Sequence, residues 1–219
     1  MPSFTEKSFN FDYLFKNITT RWYFYVIALA LILTAFLSIF LIKGQKKRNG
    51  LSNTQKIAYT AILSSLCFIF NAFTIPVSSL LQISFIASVG FVAGYILGPG
   101  LGFVSAFVGD LLCAIVFPLG PYSPIINVGT ALWGYIPGML FALGKGSDTF
   151  KIILSFILGF ILNSFFVNTV GLTLMYGTPF NELLLLLPIK LLVVTINLLI
   201  SLGLAKVLKR VLPKNKFYL

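Results

Sequence analysis

Asp110 and Lys190 are charged side chains standing in long apolar runs, and both are candidates for chemistry. A carboxylate at the centre of a membrane helix costs about 2.5–3.5 kcal/mol on insertion scales, so Asp110 must face protein or a wet cavity. Ala106 and Ala114, four residues to either side, are small enough to let a second helix or a ligand approach it. Direct ligand contact and capping of a neighbouring helix end are equally open to it. Lys190, near the start of its run, would attract an anionic ligand or extend to the membrane surface. Polar and small residues line up around these two: Lys190, Asn197 and Ser201 on one helical face, Asn127, Ala131, Gly134 and Gly138 on another, Ser164, Asn168 and Gly171 on a third. Such stripes would line a common cavity, or hydrogen-bond and pack between helices. The segment FPLGPYSP, residues 117–124, brings Phe117 and Tyr122 into a proline-rich loop whose rings would stack on a flat ligand or anchor at the membrane interface.

Composition narrows what these residues do. The chain has no histidine and only five acidic residues among 219, which disfavours acid–base catalysis and carboxylate metal cages. Cys67 and Cys113 both lie in apolar runs, where a thiol packs as a small hydrophobe, so neither a disulfide framework nor a metal site is expected. No enzyme, cofactor or metal reading follows. The net charge of +11 would suggest nucleic acid in a soluble protein, but at 58% hydrophobic and 10% charged the chain belongs in lipid, and its basic residues cluster between apolar runs. Nucleic acid is not an expected partner.

Seven apolar runs are candidate spans, near residues 22–42, 55–76, 81–97, 101–117, 124–143, 151–176 and 182–208. Gly98, Pro99 and Gly100 make a tight turn between the third and fourth, and Pro188 predicts an irregular start to the last. Gly90, Gly94, Gly98 and Gly102 repeat every four residues, a small-residue packing pattern. Lys43, Lys46, Lys47, Arg48 and Lys56, then Lys145 and Lys151, then Lys206, Lys209, Arg210, Lys214 and Lys216 fall on one side of a seven-span topology. That side is cytoplasmic by the positive-inside rule, which puts the N-terminus outside and the C-terminus inside. The polar leader before the first span is long for a signal peptide and no small-residue cleavage site follows, so this span reads as a retained helix. The expected organisation is a tail, accessory helix and basic linker over 1–50, a six-helix core over 51–212 and a cytoplasmic tail over 213–219: an all-α multi-pass membrane protein.

The run GDLLCAIVFPLGPYSPIINVGTALWGYIPG, preceded by FVAGYILGPGLGFVSAFV, resembles the substrate-binding S components of energy-coupling factor (ECF) vitamin transporters, most of all the folate-specific ones. NTVGLTLMYGTPF and LPIKLLVVTINLLISLGLAKVL agree with it. The resemblance covers roughly residues 52–210, the six-helix S-component core, and leaves the extra N-terminal helix unmatched. It implies a bacterial cell-membrane subunit that binds folate or a related vitamin, surrounded by lipid and coupled to a transmembrane T component and two cytoplasmic ATPases. Within it Asp110, Phe117, Tyr122, Asn127, Asn168 and Lys190 are the substrate-site candidates. Ala58, Ala61 and Ser65 form a small-residue ridge that would pack internally or dock another subunit, and the resemblance assigns Ala61 and Ser65 to the T component. Ser65 departs from the alanine pair usual there, and Lys190 stands where arginine is the more familiar residue. Lysine offers a single-point contact in place of a bidentate carboxylate clamp.

Other ligands fit the same fold: riboflavin, thiamine, pantothenate, a queuosine precursor or hydroxymethylpyrimidine. A retinal protein would also need a lysine in the last span and a carboxylate counter-ion, but Lys190 lies too near the helix end and the Gly-Pro loop would have no part in a retinal pocket. A purely structural membrane protein, with every polar stripe given to packing, is the third class.

Overall fold

The computed structural model describes residues 22–41, 51–76, 82–117, 122–144, 146–176 and 179–211. The N-terminal tail with Lys7, Lys16 and Arg21, the linker 42–50, the loop segments 77–81 and 118–121, Lys145 and the tail 212–219 lie outside them. So do both expected domain boundaries.

The helices are α1 (Trp22–Leu41), α2 (Asn53–Ala72), α3 (Ile86–Leu97), α4 (Pro99–Val116), α5 (Pro124–Ala142), α6 (Asp148–Gly159), α7 (Asn168–Tyr176), α8 (Phe180–Leu185) and α9 (Leu187–Val211). A π-helical segment, Phe160–Val167, joins α6 to α7 into one continuous span. All seven apolar runs are therefore helical over most of their length. By length and apolarity, α4, α5, the α6–π–α7 span and α9 are each able to cross a membrane, while Tyr25–Leu37 of α1 and Ile86–Leu97 of α3 are shorter apolar helices.

Local sequence explains where the helices begin. Ser52 caps α2 through a capping box: its hydroxyl accepts from Gln55 N at 3.3 Å, and Gln55 Oε1 accepts from Ser52 N at 3.1 Å. Ser123 and Ser147 cap α5 and α6 in the same N-terminal position. Gly98, at φ 85°, turns the chain between α3 and α4, and Pro99 opens α4 where its missing N–H costs nothing. The third span starts later than its apolar run, at Ile86, because the chain first makes a short antiparallel pair, β1 (Ile75–Pro76) with β2 (Gln82–Ile83). The irregularity expected near Pro188 is the break at Leu186, which separates α8 from α9 and leaves Pro188 in the first turn of the new helix.

Three backbones meet at glycines. A Cβ on Gly94 would collide with the Gly134 carbonyl oxygen, and one on Gly102 would stand 2.6 Å from the Gly94 Cα. On Gly138 it would stand 2.5 Å from the Pro99 nitrogen. The stripe Ala131, Gly134, Gly138 therefore packs helices together and does not line a cavity, while Gly94 and Gly102 act as the packing repeat implies. Beside this contact Phe91, Tyr95, Trp133, Phe141 and Phe156 form an aromatic core, with Tyr95 edge-on to Phe141 at 4.6 Å. Gly159 admits the Trp133 ring, with which a Cβ would collide.

Asn197 ties α9 to the start of α3. Its Oδ1 accepts from Ser88 N at 3.1 Å and from Ser88 Oγ at 2.8 Å, and its Nδ2 donates to Ser84 O at 3.0 Å. This member of the Lys190 stripe is an interhelical bond and not a cavity residue. At the other end of α9, Lys209 pairs with Asp148 at the start of α6, and Lys151 stands 3.7 Å from the same carboxylate.

A Gly94→Val substitution is expected to lower the detergent melting temperature strongly, since the obstacle is backbone and overpacking alone costs about 1–3 kcal/mol. Gly203→Ala, where the added Cβ meets nothing within 4 Å, is expected to leave it unchanged or raised. Thermal denaturation of the two variants side by side checks the pair.

Candidate functional site

Asp110 lies on α4 at a polar junction of three helices. Asn71, at the end of α2, donates from Nδ2 to Asp110 Oδ1 at 2.6 Å. From α5, Asn127 and Thr130 turn their polar ends to the same carboxylate. The junction follows from the glycine contacts. Gly102 and Gly134 fix α4 against α5, and two turns from each glycine along these antiparallel helices stand Asp110 and Asn127. A second close approach, at Gly109, brings α2 in: a Cβ there would collide with the Cys67 side chain and lie 2.7 Å from Ser64 O. Asn71 is one turn beyond Cys67, which carries it to Asp110. The approach expected at Ala106 and Ala114 is thus made mainly at Gly109, although Ala106 is fully buried beside Cys67, Ile86 and Val89. Cys67 and Cys113 are both free and buried, as packing residues are.

Asn127 is 1% exposed, its Nδ2 lies 3.5 Å from the Phe107 carbonyl, and its Oδ1 has no partner. Beyond the end of α4, Phe117 stacks on Phe68 of α2, with centroids 6.0 Å apart and planes at 26°. Tyr122 stands before α5, where burial, then the Asp110 charge and then Tyr25 raise its phenol above the ordinary range. Asp110, Asn127 and Tyr122 are therefore near one another, and Phe117 closes the same end of α4.

Asn168 opens α7, which packs on α5. Its side-chain oxygen is buried without a partner. The π-helical segment before it packs on α5: a Cβ on Gly129 would collide with the Asn163 side chain and Val167, and Gly171 lies against Ile126. Asn163, with its amide in the orientation that satisfies both groups, donates to Gly129 O at 3.2 Å and accepts from Trp133 Nε1 at 2.6 Å. Thr169 Oγ1 donates to Ser164 O at 3.1 Å, a bond five residues back that fits the wider helix. Lys190 sits in the first turn of α9 with its Nζ buried and unpartnered. No hydrogen bond or ion pair among the described residues joins it to the Asp110 junction.

Ala58, Ala61 and Ser65 are exposed on α2, and Ser65 Oγ donates to Ala61 O at 2.9 Å. The opposite face of α2, Leu63, Ser64 and Cys67, meets the bundle. Among the described residues no three of histidine, cysteine, aspartate and glutamate come together as metal ligands. Asn71 and Asn163 were not singled out from sequence. Each is an isolated amide in an apolar run, the same signal that marked Asn127.

Known proteins share this architecture. The chain is 30% identical over 132 residues to the uncharacterized protein MG313 homolog of Mycoplasma pneumoniae. That stretch is 59% of this chain and 46% of the relative, so the chain spans about half the length of the relative it matches. A crystal structure of FolT bound with folic acid superposes with a TM-score of 0.60 at 24% identity, over 68% of this chain and 93% of that one, which establishes a common fold. Residues 55–213 match the family described as ECF transporter, substrate-specific component. With most of its length inside that match, the chain belongs to the family of ECF transporter substrate-specific components, and with its long apolar helices it is a multi-pass membrane protein.

Proposed function

We propose that the protein is a folate-binding subunit of a vitamin uptake system, working with a transmembrane T component and two cytoplasmic ATPases. The observation that carries this reading is the shared fold with FolT, which is bound with folic acid over a structure this chain covers to 93%. The polar junction supports it. Folate offers a flat heterocycle with donor and acceptor edges, a second ring and a dianionic tail. Asp110 and Asn127 present two side-chain acceptors, one a carboxyl bonded by Asn71 and one an amide oxygen buried without a partner, for the polar edge of the heterocycle. Phe117 and Tyr122 flank the same end with rings to stack on it, Asn168 adds a second amide, and the buried Lys190 side chain suits a carboxylate. The buried, unpartnered Nζ supports a ligand role for Lys190 over a reach for the membrane surface.

The ridge Ala58, Ala61, Ser65 supports T-component docking. Among the described residues it is exposed, and the contacts of α1 are with α5 and α4. The clustering of lysine and arginine supports an N-terminus outside and a cytoplasmic C-terminus.

Titration calorimetry with folic acid tests the ligand. Lys190→Ala is expected to weaken binding by about 1–3 kcal/mol, the range of a charge-assisted hydrogen bond. Absence of any folate binding removes folate and turns the question to riboflavin, thiamine or another vitamin; unchanged affinity in the lysine variant removes only the placement of the carboxylate. Replacing Ala61 and Ser65 together with Trp is expected to abolish ATP-driven uptake and T-component association while leaving vitamin binding to the isolated subunit intact, and a pull-down alongside calorimetry separates the two effects. For the orientation, membrane-impermeant maleimide on intact cells should label Thr5→Cys and spare Lys216→Cys. The reverse pattern inverts the topology.

A further inference from the structure

The helix outside the family match, α1, packs against the part of the bundle that carries the Asp110 junction. Ala28 is 4% exposed and lies in one cluster with Phe103, Ile125, Val128 and Ala131, and Ile32 and Ala35 pack on the same cluster. Phe36 meets Phe103 edge-on at 5.7 Å, and Phe103 in turn meets Tyr135 at 6.4 Å. The contacts have a direction. Ala28 shares its cluster with the first turns of α5, while Phe36, two turns further along α1, reaches Phe103 at the start of α4 beside Tyr135, two turns further along α5. At the other end of α1, Tyr25 lies close enough to Tyr122 to act on its phenol, so with Phe36 at Phe103 the two helices α1 and α5 run parallel. Tyr25 is one turn before Ala28 on the same face, which sets it level with the residues just before α5, where Tyr122 stands. Tyr25 is partly buried there, unlike Val26, Ile27 and Leu29, which are exposed around it.

We propose that α1 is a wall of the substrate site and that Tyr25 pairs with Tyr122 across its outer end, so that the two rings together contact the flat part of the bound vitamin. The ligand rests on the folate reading; the juxtaposition does not. An aromatic ring brings large apolar area with few rotatable bonds and a polar tip, which suits an entrance that must hold a heterocycle while facing water. The geometry also gives this chain a specificity element that the six-helix core lacks, because the residue comes from outside the matched region 55–213.

Two arms test it. Without ligand, Tyr25→Cys with Tyr122→Cys is treated with a short bismaleimide in detergent, Cys67 and Cys113 being buried and left in place. Cross-linking is expected for this pair and not for Leu37→Cys with Tyr122→Cys; failure of the first pair overturns the proposal. With folic acid as probe, Tyr25→Ala is expected to raise the Kd about three- to tenfold, the range an aromatic contact carries, while Tyr25→Phe keeps the affinity. Phe36→Ala, which removes one ring contact at the end of α1 distant from Tyr25 and leaves the Ala28, Ile32 and Ala35 packing in place, is expected to lower thermal stability without changing Kd. Unchanged affinity in Tyr25→Ala overturns the proposal and leaves folate standing, and an equal loss in Phe36→Ala overturns it in favour of α1 acting only through packing. If the unsubstituted protein binds no folic acid, the folate reading fails, and the cross-link alone decides for or against the pair at the outer end.

Discussion

The arrangement of the bundle depends on three helix backbones touching where side chains are absent. In lipid there is little hydrophobic force between helices, so close van der Waals packing must hold them, and that favours small residues. Gly94, Gly102 and Gly134 supply them at one level of α3, α4 and α5, where any Cβ would occupy another helix's backbone. The contact also sets register. With α4 and α5 locked at these glycines, the residues two turns away on each are brought level, and those are Asp110 and Asn127. The polar junction is thus a geometrical consequence of a packing motif that lies away from it.

The remaining helices are attached by different means. The second meets α4 at Gly109 and brings Asn71 to the carboxylate. The last is pinned at its middle by Asn197, which satisfies backbone and side-chain groups at the beginning of α3, and at its far end by Lys209 on Asp148. A buried amide that satisfies two helices fixes their relative rotation as well as their distance. Between them the π-helical segment turns Asn163 into α5 and sets Asn168 one residue past the point where Val167 touches Gly129.

Much of this architecture was legible in the sequence, because hydropathy and glycine spacing act locally. The seven runs became helices, Gly98-Pro99 became the hairpin turn, and the Gly90 to Gly102 repeat became a packing surface. The family resemblance agreed with the match over 55–213. What could not be read were pairings between distant segments. Nothing in the local sequence of Asn71 says that it meets Asp110, and the π-helical widening at Phe160–Val167 has no proline or glycine inside it to announce it. The stripes were read correctly as faces and incompletely as functions: one helical face carries Asn197, bound into packing, and Lys190, left unbound.

That contrast supplies a criterion, provided it is applied together with position. A buried polar atom without a partner costs free energy that packing would have removed had it been able to. Asn197, Asn163 and Ser88 are satisfied across helices and belong to the scaffold. Asn127, Asn168 and Lys190 each keep a buried polar atom unpaired, but so do Tyr95 and Ser201. The unpaired state alone therefore does not define a site. Tyr95 lies within the aromatic core beside Phe141, towards the Asp148 end of the bundle, whereas Asn127 is at the Asp110 junction and Asn168 follows the segment that packs beside it. At one end of α4 and α5 a carboxyl, the unsatisfied Asn127 amide and flanking rings are gathered, and the proposed flat, polar solute would supply the missing partner there. The same polar groups spread along the bundle would only have weakened it.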